Sequence, residues 1–276
     1  EIRIIEGIMK TAEGNGVNDL EMIEKDRIAE LEPLVFALKA IYSPSTGIVD
    51  SHSLMKSLET GTIINGGQIA YGSEVTGIRR IDEGYEIILR DTENSTFSFT
   101  TRIVINSVGL GSDLVSALAG ISDDRLRIRF CKGEYFRLKP PKNRLVNRLV
   151  YPVPVHNLEG IGIHVTVEMD GGVKLGPDVT YLDSNVFDYK VTPSKQDAFF
   201  RSVRLFLPFL EYDDLAPEMA GIRPKIQGPG EPVRDFYIRE ESDRGMPGFI
   251  NLIGMESPGL TSCLSIANHV RNLINM

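Results

Sequence analysis

The stretch Phe249-Ile-Asn-Leu-Ile-Gly-Met-Glu-Ser-Pro-Gly-Leu-Thr261 decides the fold of this 276-residue chain. Its first five residues predict an apolar strand, and Gly254 begins a glycine-containing turn. Ser257 suits the N-cap of a closing helix and Pro258 its first position, because serine oxygens accept hydrogen bonds from helix N–H groups. This order of elements can aim backbone N–H groups at an electron-rich ligand. A well-capped terminal helix without any ligand has the same pattern.

A second segment repeats the order of strand, glycine turn and helix. Residues 102–106 predict a short apolar strand of the kind buried in parallel sheets, and a helix is predicted from Ser112 to Ala119. At the carboxyl edge of a sheet, the intervening turn would let backbone approach a ligand. The ligand-facing positions would be Asn106, Gly109 and Asp113. A plain β–α turn needs the same glycines, so this segment alone does not establish a ligand.

The rest of the chain alternates between helical and strand periodicity. Helices are predicted near the N-terminus, after Asp50, from Ser194 and at the C-terminus, where Cys263, Ile266, Ala267, Val270 and Ile274 would face inward. The predicted strands of the β-rich middle include 68–71, 74–81, 85–90 and 97–99. The pattern predicts an α/β fold with α+β character, in which a Rossmann-like layer is interleaved with a mixed or antiparallel sheet.

The composition of the chain argues against some classes of binding partner. The net charge of −8 argues against nucleic acid, since phosphate binding calls for a basic face. Cys131 and Cys263 lie far apart without a CxxC pattern, so neither a metal site nor a disulfide is expected. The cysteines and the lack of a long apolar run predict a reducing, cytoplasmic location. Peripheral membrane association stays open.

The segment Gly221-Ile-Arg-Pro-Lys225 offers an anchor for an anion. Arg223 follows an apolar strand, and Pro224 restricts its backbone. A guanidinium held in this way can bind a carboxylate through two parallel hydrogen bonds. The alternative is a surface arginine paired with one of the many acidic residues, which would contribute little.

Two further strands carry polar groups of chemical interest. His164 lies in an alternating strand with Gly162 and Thr166 on the same face. A histidine there could take the proton from a substrate hydroxyl, because its ordinary pKa is near ~6.5; a structural histidine explains the pattern equally well. Lys132 and Tyr135 flank Gly133 in a segment that could also be an ordinary strand.

Several stretches, taken together, resemble the FAD-dependent L-2-hydroxyglutarate dehydrogenase/oxidase family, within the D-amino-acid oxidase superfamily. They occur in family order along the chain. The matching stretches are residues 42–50, Gly72-Ser-Glu-Val-Thr-Gly-Ile78, residues 104–110, Lys132-Gly-Glu-Tyr-Phe136, Tyr151-Pro-Val-Pro154, Asp170-Gly-Gly172, residues 221–230 and Gly254-Met-Glu-Ser-Pro-Gly-Leu-Thr261.

The resemblance implies an incomplete FAD-binding domain built from discontinuous segments and a substrate domain with a large mixed sheet. Residues 1–45 would begin the substrate domain, 46–125 would form part of the FAD domain, 126–245 would complete the substrate domain, and 246–276 would supply the last FAD-domain strand and helix. Val75 would meet the adenine, the Asn106–Gly109 turn the nucleotide portion, and the Gly254–Thr261 turn the isoalloxazine. The implied cofactor-binding residues are Val75, Asn106, Ser107, Gly109, Asp113, Gly254, Ser257, Gly259, Leu260 and Thr261.

The resemblance also implies a reaction. Arg223 would hold the C1 carboxylate of a 2-hydroxy dicarboxylate, most simply L-2-hydroxyglutarate. His164 would take the hydroxyl proton as hydride leaves C2 for flavin N5. Substrate contacts are further expected from Tyr135, Lys132 and Ser257, and either Lys132 or Lys225 would bind the second carboxylate. The electron acceptor stays open among oxygen, a quinone and another flavoprotein.

The chain also departs from the family pattern. Family members begin with a strand, a GxGxxG turn and a helix, whereas Glu1 aligns well inside that pattern. Ser107 and Val108 replace a smaller pair, and Leu114 stands where arginine is common. A missing N-terminal segment or subunit is therefore expected. The alternative functions are a truncated or split, catalytically incompetent interaction subunit and a related amino-acid or glycerol-3-phosphate oxidoreductase.

Overall fold

The computed structural model describes residues 1–154, 162–183 and 187–274. The chain forms two compact units, each built from three segments. The first unit contains Glu1–Asp50, Lys132–Thr180 and Val186–Ile222, and the second contains Ser51–Cys131, Tyr181–Asn185 and Arg223–Met276. The FAD and substrate domains expected with boundaries at 45/46, 125/126 and 245/246 stay a prediction.

Helices and strands are mixed along the described residues, which supports the predicted mixed α/β class. In chain order they are α1 (Ile2–Gly14), β1 (Glu21–Glu24), α2 (Lys25–Leu31), β2 (Lys39–Tyr42), α3 (Ser51–Ile64), β3 (Glu74–Ile81), β4 (Gly84–Arg90), β5 (Thr96–Thr101), β6 (Val104–Asn106), α4 (Ser112–Leu118), β7 (Arg129–Leu138), β8 (His164–Val167), β9 (Val173–Gly176), β10 (Thr180–Tyr181), α5 (Gln196–Val203), β11 (Leu215–Lys225), β12 (Tyr237–Glu241), β13 (Met246–Ile253) and α6 (Cys263–Ile274). None of these helices is both long and apolar enough to cross a bilayer.

The first unit is organised around one sheet and the helix that packs on it. The strand order is β10-β7-β9-β8, and β11 also pairs with β7. The core contains Phe136 of β7 and Phe199 of α5, whose ring centroids lie 4.6 Å apart. The sequence predicts Phe206 and Leu210 on the same helix as Phe199. That prediction is wrong for the helix, because α5 ends at Val203, although both residues still pack in this core.

The second unit contains two sheets. β3, β4 and β5 form an antiparallel meander, as the sequence predicts, and β12, β13 and β6 form a three-stranded sheet. A shared core includes Ile78 and Tyr85 of the meander, Ala119 after α4, and Phe249 of β13. The Tyr85 hydroxyl donates to Pro247 O at 2.8 Å, so the meander is also joined to the start of β13 by a buried hydrogen bond.

Two strand predictions in this unit need correction. Residues 68–71 form no strand; they lie exposed between Gly66 and Gly72, whose positive φ angles of 81° and 66° interrupt an extended run. β6 runs parallel to β13 as predicted, but it is not a fully buried strand. It lies at the end of the sheet order, and Ile105 is 45% exposed.

The closing helix faces its core with fewer residues than expected. Val270 is buried, and Ile266 packs beside it against Ile250 and Leu252 of β13. Ala267 and Ile274 are exposed rather than inward. Leu273 contacts the core instead, because Ile266, Val270 and Leu273 follow the i, i+4, i+7 spacing of one helix face.

Candidate functional site in the second unit

Two parallel strands end side by side in the second unit. β6 and β13 pair so that Asn106 lies opposite Asn251. Each strand continues into a turn with a glycine in the left-handed region: Gly109 has φ 64° and Gly254 has φ 74°. Glycine adopts this backbone without the steric cost that a Cβ would bring. The two turns therefore begin at one carboxyl edge, where parallel α/β sheets bind ligands.

The turn after β6 leaves its glycine open to approach. A Cβ built on Gly109 would meet no atom of the described residues within 4 Å. A hydrogen bond within the segment fixes the turn: Ser112 Oγ donates to Gly109 O at 2.8 Å. Ser107 is exposed on the same turn. The backbone of this segment is thus held in place and accessible.

The side chains of Asn106 and Asp113, which the sequence predicts to face a ligand, form hydrogen bonds within the unit. Asn106 Nδ2 donates to Ser112 O at 2.7 Å and to Asn251 Oδ1 at 2.8 Å. Asp113 Oδ2 accepts from the backbone N–H of Ile128 at 3.0 Å. These contacts favour a role in shaping the turn, with ligand contact from this segment falling mainly to the backbone.

The turn after β13 differs from the predicted helix start. Ser257 is not an N-cap, because α6 begins at Cys263. The backbone N–H groups of Glu256 and Gly259 donate within the turn, to Gly254 O at 2.8 Å and Glu256 O at 2.6 Å. Gly254 and Gly259 are buried in this turn. Its exposed members are Ser257, Pro258, Leu260 and Thr261. The segment is a compact series of turns that presents side chains rather than an open helix end.

The end of β11 joins this turn. Lys225 Nζ lies 2.7 Å from Glu256 Oε1, and the two side chains are 6% and 15% exposed. A Cβ on Gly254 would lie 2.9 Å from Ile226 Cγ2. Arg223, two residues before Lys225, is half-buried and donates to Cys131 Sγ at 3.6 Å. The predicted carboxylate anchor therefore lies in the same unit as both glycine turns, on a strand in contact with one of them.

Val75, the predicted adenine contact, lies at an irregularity of the meander. It pairs with Leu89, and the register of β3 and β4 shifts between Val75 and Gly77. Its side chain packs against the core that contains Ile78.

The other predicted site residues belong to the first unit. Lys132 is 6% exposed; its Nζ lies 2.9 Å from Glu134 Oε1 and donates to Lys190 O at 2.6 Å. Its charge is thus engaged in an internal ion pair, which favours a structural role. Tyr135 is half-buried, and a Cβ on Gly176 would lie 2.9 Å from its Cδ1.

The ring of His164 makes at least two contacts within the first unit. Its Nδ1 lies 3.1 Å from Gly162 O, and its ring stacks on Tyr151 with centroids 4.2 Å apart and planes 22° apart. A carbonyl only accepts, so this bond requires the proton on Nδ1. In the neutral ring the lone pair is then on Nε2, the nitrogen that can accept a proton.

One buried polar residue near the two turns was not predicted from the sequence. Asn251 is fully buried, and its Nδ2 donates to Glu241 Oε1 at 2.8 Å and to Ser116 Oγ at 3.1 Å. The available signal was an asparagine in the middle of the apolar run of β13. A polar side chain at such a position needs buried hydrogen-bond partners.

Adjacent parallel strand ends with glycine turns are typical of α/β proteins that bind dinucleotides. The comparison with family profiles agrees: the profile of the FAD dependent oxidoreductases matches residues 3–273. The chain belongs to this family.

Individual relatives extend the comparison. The chain is 34% identical to the mitochondrial L-2-hydroxyglutarate dehydrogenase of Arabidopsis thaliana, covering 99% of the chain and 63% of the relative. It is 30% identical to the enzyme of that name from Caenorhabditis elegans, covering 98% of the chain and 70% of the relative. The chain therefore spans less than two thirds of the length of its Arabidopsis relative.

A solved structure supports the fold. The dithionite-reduced L-alpha-glycerophosphate oxidase of Mycoplasma pneumoniae, with FAD bound, superposes with a TM-score of 0.82 at 23% identity. That match covers 99% of this chain and 70% of the other.

The second unit fits part of such a cofactor. Gly109 allows a close approach, since no atom of the described residues would contact a Cβ there. Asn106 Oδ1 is a buried acceptor for which the described part of the chain provides no hydrogen-bond partner. FAD carries ribose and ribityl hydroxyls that could donate to it. The open backbone position and the buried acceptor are features that a dinucleotide could use at this edge of the sheet.

Proposed function

We propose that this chain is part of an FAD-dependent dehydrogenase or oxidase that converts a 2-hydroxy acid to the 2-oxo acid. The observation that carries the proposal is the pair of glycine turns at adjacent ends of β6 and β13. The ion pair that joins the strand of Arg223 to one of these turns adds to it. Family membership and relatives named L-2-hydroxyglutarate dehydrogenase support the reaction class.

The cofactor would be held by the second unit. Backbone groups of the turn from Asn106 to Gly109 and the turn from Gly254 to Thr261 would contact FAD, with Val75 and Asp113 as further contributors. The exposed side chains of Ser107, Ser257, Leu260 and Thr261, and the backbone at Gly259, complete the proposed set. When bound, FAD accepts two electrons from a substrate as a hydride at N5.

Arg223 is proposed to bind the substrate carboxylate. Its guanidinium is half-buried and carries five N–H donors in a fixed plane, which match the two oxygens of a carboxylate. The acceptor seen at 3.6 Å, Cys131 Sγ, is a weak one. A carboxylate would form stronger, charge-assisted bonds with the same group.

His164 is proposed to accept the hydroxyl proton. Its hydrogen bond to Gly162 O fixes the proton on Nδ1, so Nε2 can act as the base. The stack with Tyr151 restricts the ring to one plane. Both contacts prepare the imidazole for proton transfer in a defined direction.

The substrate we favour is L-2-hydroxyglutarate, after the names of the relatives. Its second carboxylate calls for another cation. Lys132 and Lys225 are already in ion pairs with Glu134 and Glu256, so either could serve only by exchanging its partner. Tyr135 and Ser257 stay candidates for neutral hydrogen bonds to the substrate.

The test begins with flavin binding by the full chain and continues with kinetics. Protein that is yellow, or becomes yellow with added FAD, is expected to reduce a dye acceptor with L-2-hydroxyglutarate. It should do so faster than with D-2-hydroxyglutarate, glutamate or glycerol 3-phosphate. Arg223→Ala should raise KM about a hundredfold or more, the loss expected for a charge-assisted bidentate contact, with the flavin retained.

A matched control is Arg271→Ala, which removes an exposed arginine from α6 and should leave KM unchanged. Protein that stays colourless in excess FAD would contradict the proposal as a whole. An unchanged KM in Arg223→Ala, with flavin bound, would remove only that residue from its role.

A further inference from the structure

A chain of buried hydrogen bonds connects Glu241 at the end of β12 with the ends of both parallel strands. Glu241 and Asn251 are 0% exposed, and Asn106 is 1% exposed. Asn251 Nδ2 donates to Glu241 Oε1 at 2.8 Å, and Asn106 Nδ2 donates to Asn251 Oδ1 at 2.8 Å. We refer to these three residues as the amide relay.

The relay has one direction, and acceptors at both of its ends set it, Glu241 at one end and Ser112 O at the other. A carboxylate only accepts hydrogen bonds, so Asn251 must turn its amide nitrogen toward Glu241 and its oxygen toward Asn106. Asn106 must then present its own nitrogen. The second oxygen of Glu241 lies 3.4 Å from Arg244 Nε, so the buried charge has a cationic partner.

The relay determines the shape of the turn after β6. The same Asn106 Nδ2 that meets Asn251 also donates to Ser112 O at 2.7 Å. Asn106 is the last residue of β6 and Ser112 the first of α4. The two ends of the turn that contains Gly109 are thus clamped by a single amide group, whose nitrogen donates both to β13 and to the start of α4.

The relay also connects this turn with the second one. Asn251 lies directly opposite Asn106 on β13 and three residues before Gly254. One side-chain hydrogen bond therefore fixes the two strand ends in register at the point where both glycine turns begin. In a buried position such a bond is costly to leave unmade.

We propose that Glu241, Asn251 and Asn106 are positioning residues that hold the two glycine turns in one arrangement and so preorganise the FAD surface. The identity of the ligand rests on the proposed function, whereas the mechanical role of the relay does not. A surface fixed before binding loses less conformational freedom when the ligand arrives, which raises affinity.

Three variants of the full chain test the relay. Asn251→Leu removes the amide contacts with Glu241, Ser116 and Asn106 but keeps the branched outline of the side chain. Glu241→Gln keeps the shape but replaces the charged acceptor with a neutral amide that can also donate, so this end no longer fixes the direction of the relay. The control is Tyr85→Phe, which deletes a buried hydrogen bond to Pro247 O, at the opposite end of β13.

The first readout is amide hydrogen exchange in the absence of FAD. In Glu241→Gln and Asn251→Leu, exchange at residues 107–112 and 254–257 should rise at least about tenfold, as expected when a buried hydrogen bond to a charged group is lost. Tyr85→Phe should not accelerate these segments. Unchanged exchange in Glu241→Gln, or an equal rise in Tyr85→Phe, would overturn the proposal. Should Asn251→Leu fail to fold, Glu241→Gln still decides it.

The second readout is FAD affinity, measured by quenching of flavin fluorescence. We expect the two relay variants to bind FAD about tenfold more weakly or worse, with little change in Tyr85→Phe. Faster hydrogen exchange in the two turns with an unaltered affinity for FAD would contradict the proposed role of the relay in cofactor binding. A wild-type chain that binds no FAD would count against the proposed function, and the exchange measurement would still judge the relay.

Discussion

Lys225 Nζ lies 2.7 Å from Glu256 Oε1, and this ion pair joins the last residue of β11 to the turn that follows β13. Both side chains are largely removed from water. Arg223, the proposed carboxylate anchor, lies two residues earlier on the same strand. The pair therefore also ties the strand of Arg223 to the turn. The ion pair therefore stabilises the unit, and the proposed site depends on it.

Removing one partner of this ion pair should be costly. Lys225→Met leaves Glu256 without its cation, and we expect the free energy of unfolding to fall by about 3 kcal/mol, the cost typical of a broken buried pair. Urea unfolding at pH 7 measures the change. The double variant Lys225→Met/Glu256→Met should recover most of the loss, since no unpaired charge is then left. A single variant as stable as the wild type would show that the pair contributes nothing.

The two turn glycines should respond differently to alanine. Gly109→Ala places a Cβ in open space, so only the left-handed backbone opposes it, at about 1 kcal/mol. Gly254→Ala adds a contact of 2.9 Å with Ile226 Cγ2 and should lose about 3 kcal/mol in unfolding free energy.

Under the proposed function, Gly109→Ala should nevertheless weaken FAD binding, because its methyl group would occupy the surface that the cofactor approaches. Thermal unfolding and flavin titration of both variants test this. Equal unfolding losses, or normal affinity in Gly109→Ala, would contradict the geometry.

Glu134 should make the protein acid-sensitive. Burial favours its neutral form, but hydrogen bonds from Lys132, Lys195 and Thr192 outweigh burial and lower the pKa of Glu134. A carboxyl with a lowered pKa contributes stability that is present above its ordinary value of about 4.3. That stability is lost as the pH falls through the lower folded-state value.

The variant Glu134→Gln isolates this contribution. It should be less stable than the wild type at pH 7, and the difference should shrink as the pH is taken from 5 to 3. Chemical unfolding across this range gives the result. Glu218→Gln, on a partly exposed pair with Arg137 at 3.4 Å, is a control expected to lose little at any pH. A difference that does not vary with pH would show that ionisation of Glu134 is not responsible.

The stack of Tyr151 on His164 offers a test of the proposed base. Tyr151→Leu removes the aromatic partner, worth about 1 kcal/mol, so we expect kcat to fall by up to about tenfold. Tyr151→Phe keeps the ring and should keep the rate. His164→Gln should lower kcat at least about a hundredfold and abolish the dependence of kcat on a basic group in the pH profile. Equal rates in Tyr151→Leu and Tyr151→Phe would show that stacking does not orient the imidazole.

Local signals predicted much of the fold. The alternation of residues 74–81 marks β3 at its observed bounds, and the turn that follows ends at a required glycine, since Gly84 has φ 128° and no room for a Cβ beside Thr101 O. The parallel position of β6 also followed from its apolar run. These features depend on neighbouring residues and were therefore visible in the sequence.

Other features depend on contacts that sequence does not display. Ser257 and Pro258 have the chemistry of a helix start, but hydrogen bonds within the turn use the backbone of this segment, so α6 begins later. Asn106 carries the polarity of a ligand contact, yet its partner Asn251 lies 145 residues away. Such long-range pairing decides which way a polar side chain turns.

The three-segment construction of each unit has a consequence for how this protein is made. β6 is synthesised about 140 residues before β13, its parallel partner, which at ordinary rates of translation is a delay of roughly 7 to 28 s. During that interval the apolar Ile103 and Ile105 leave the ribosome without the neighbouring strand. Chaperone demand on the nascent chain should therefore last until β13 emerges.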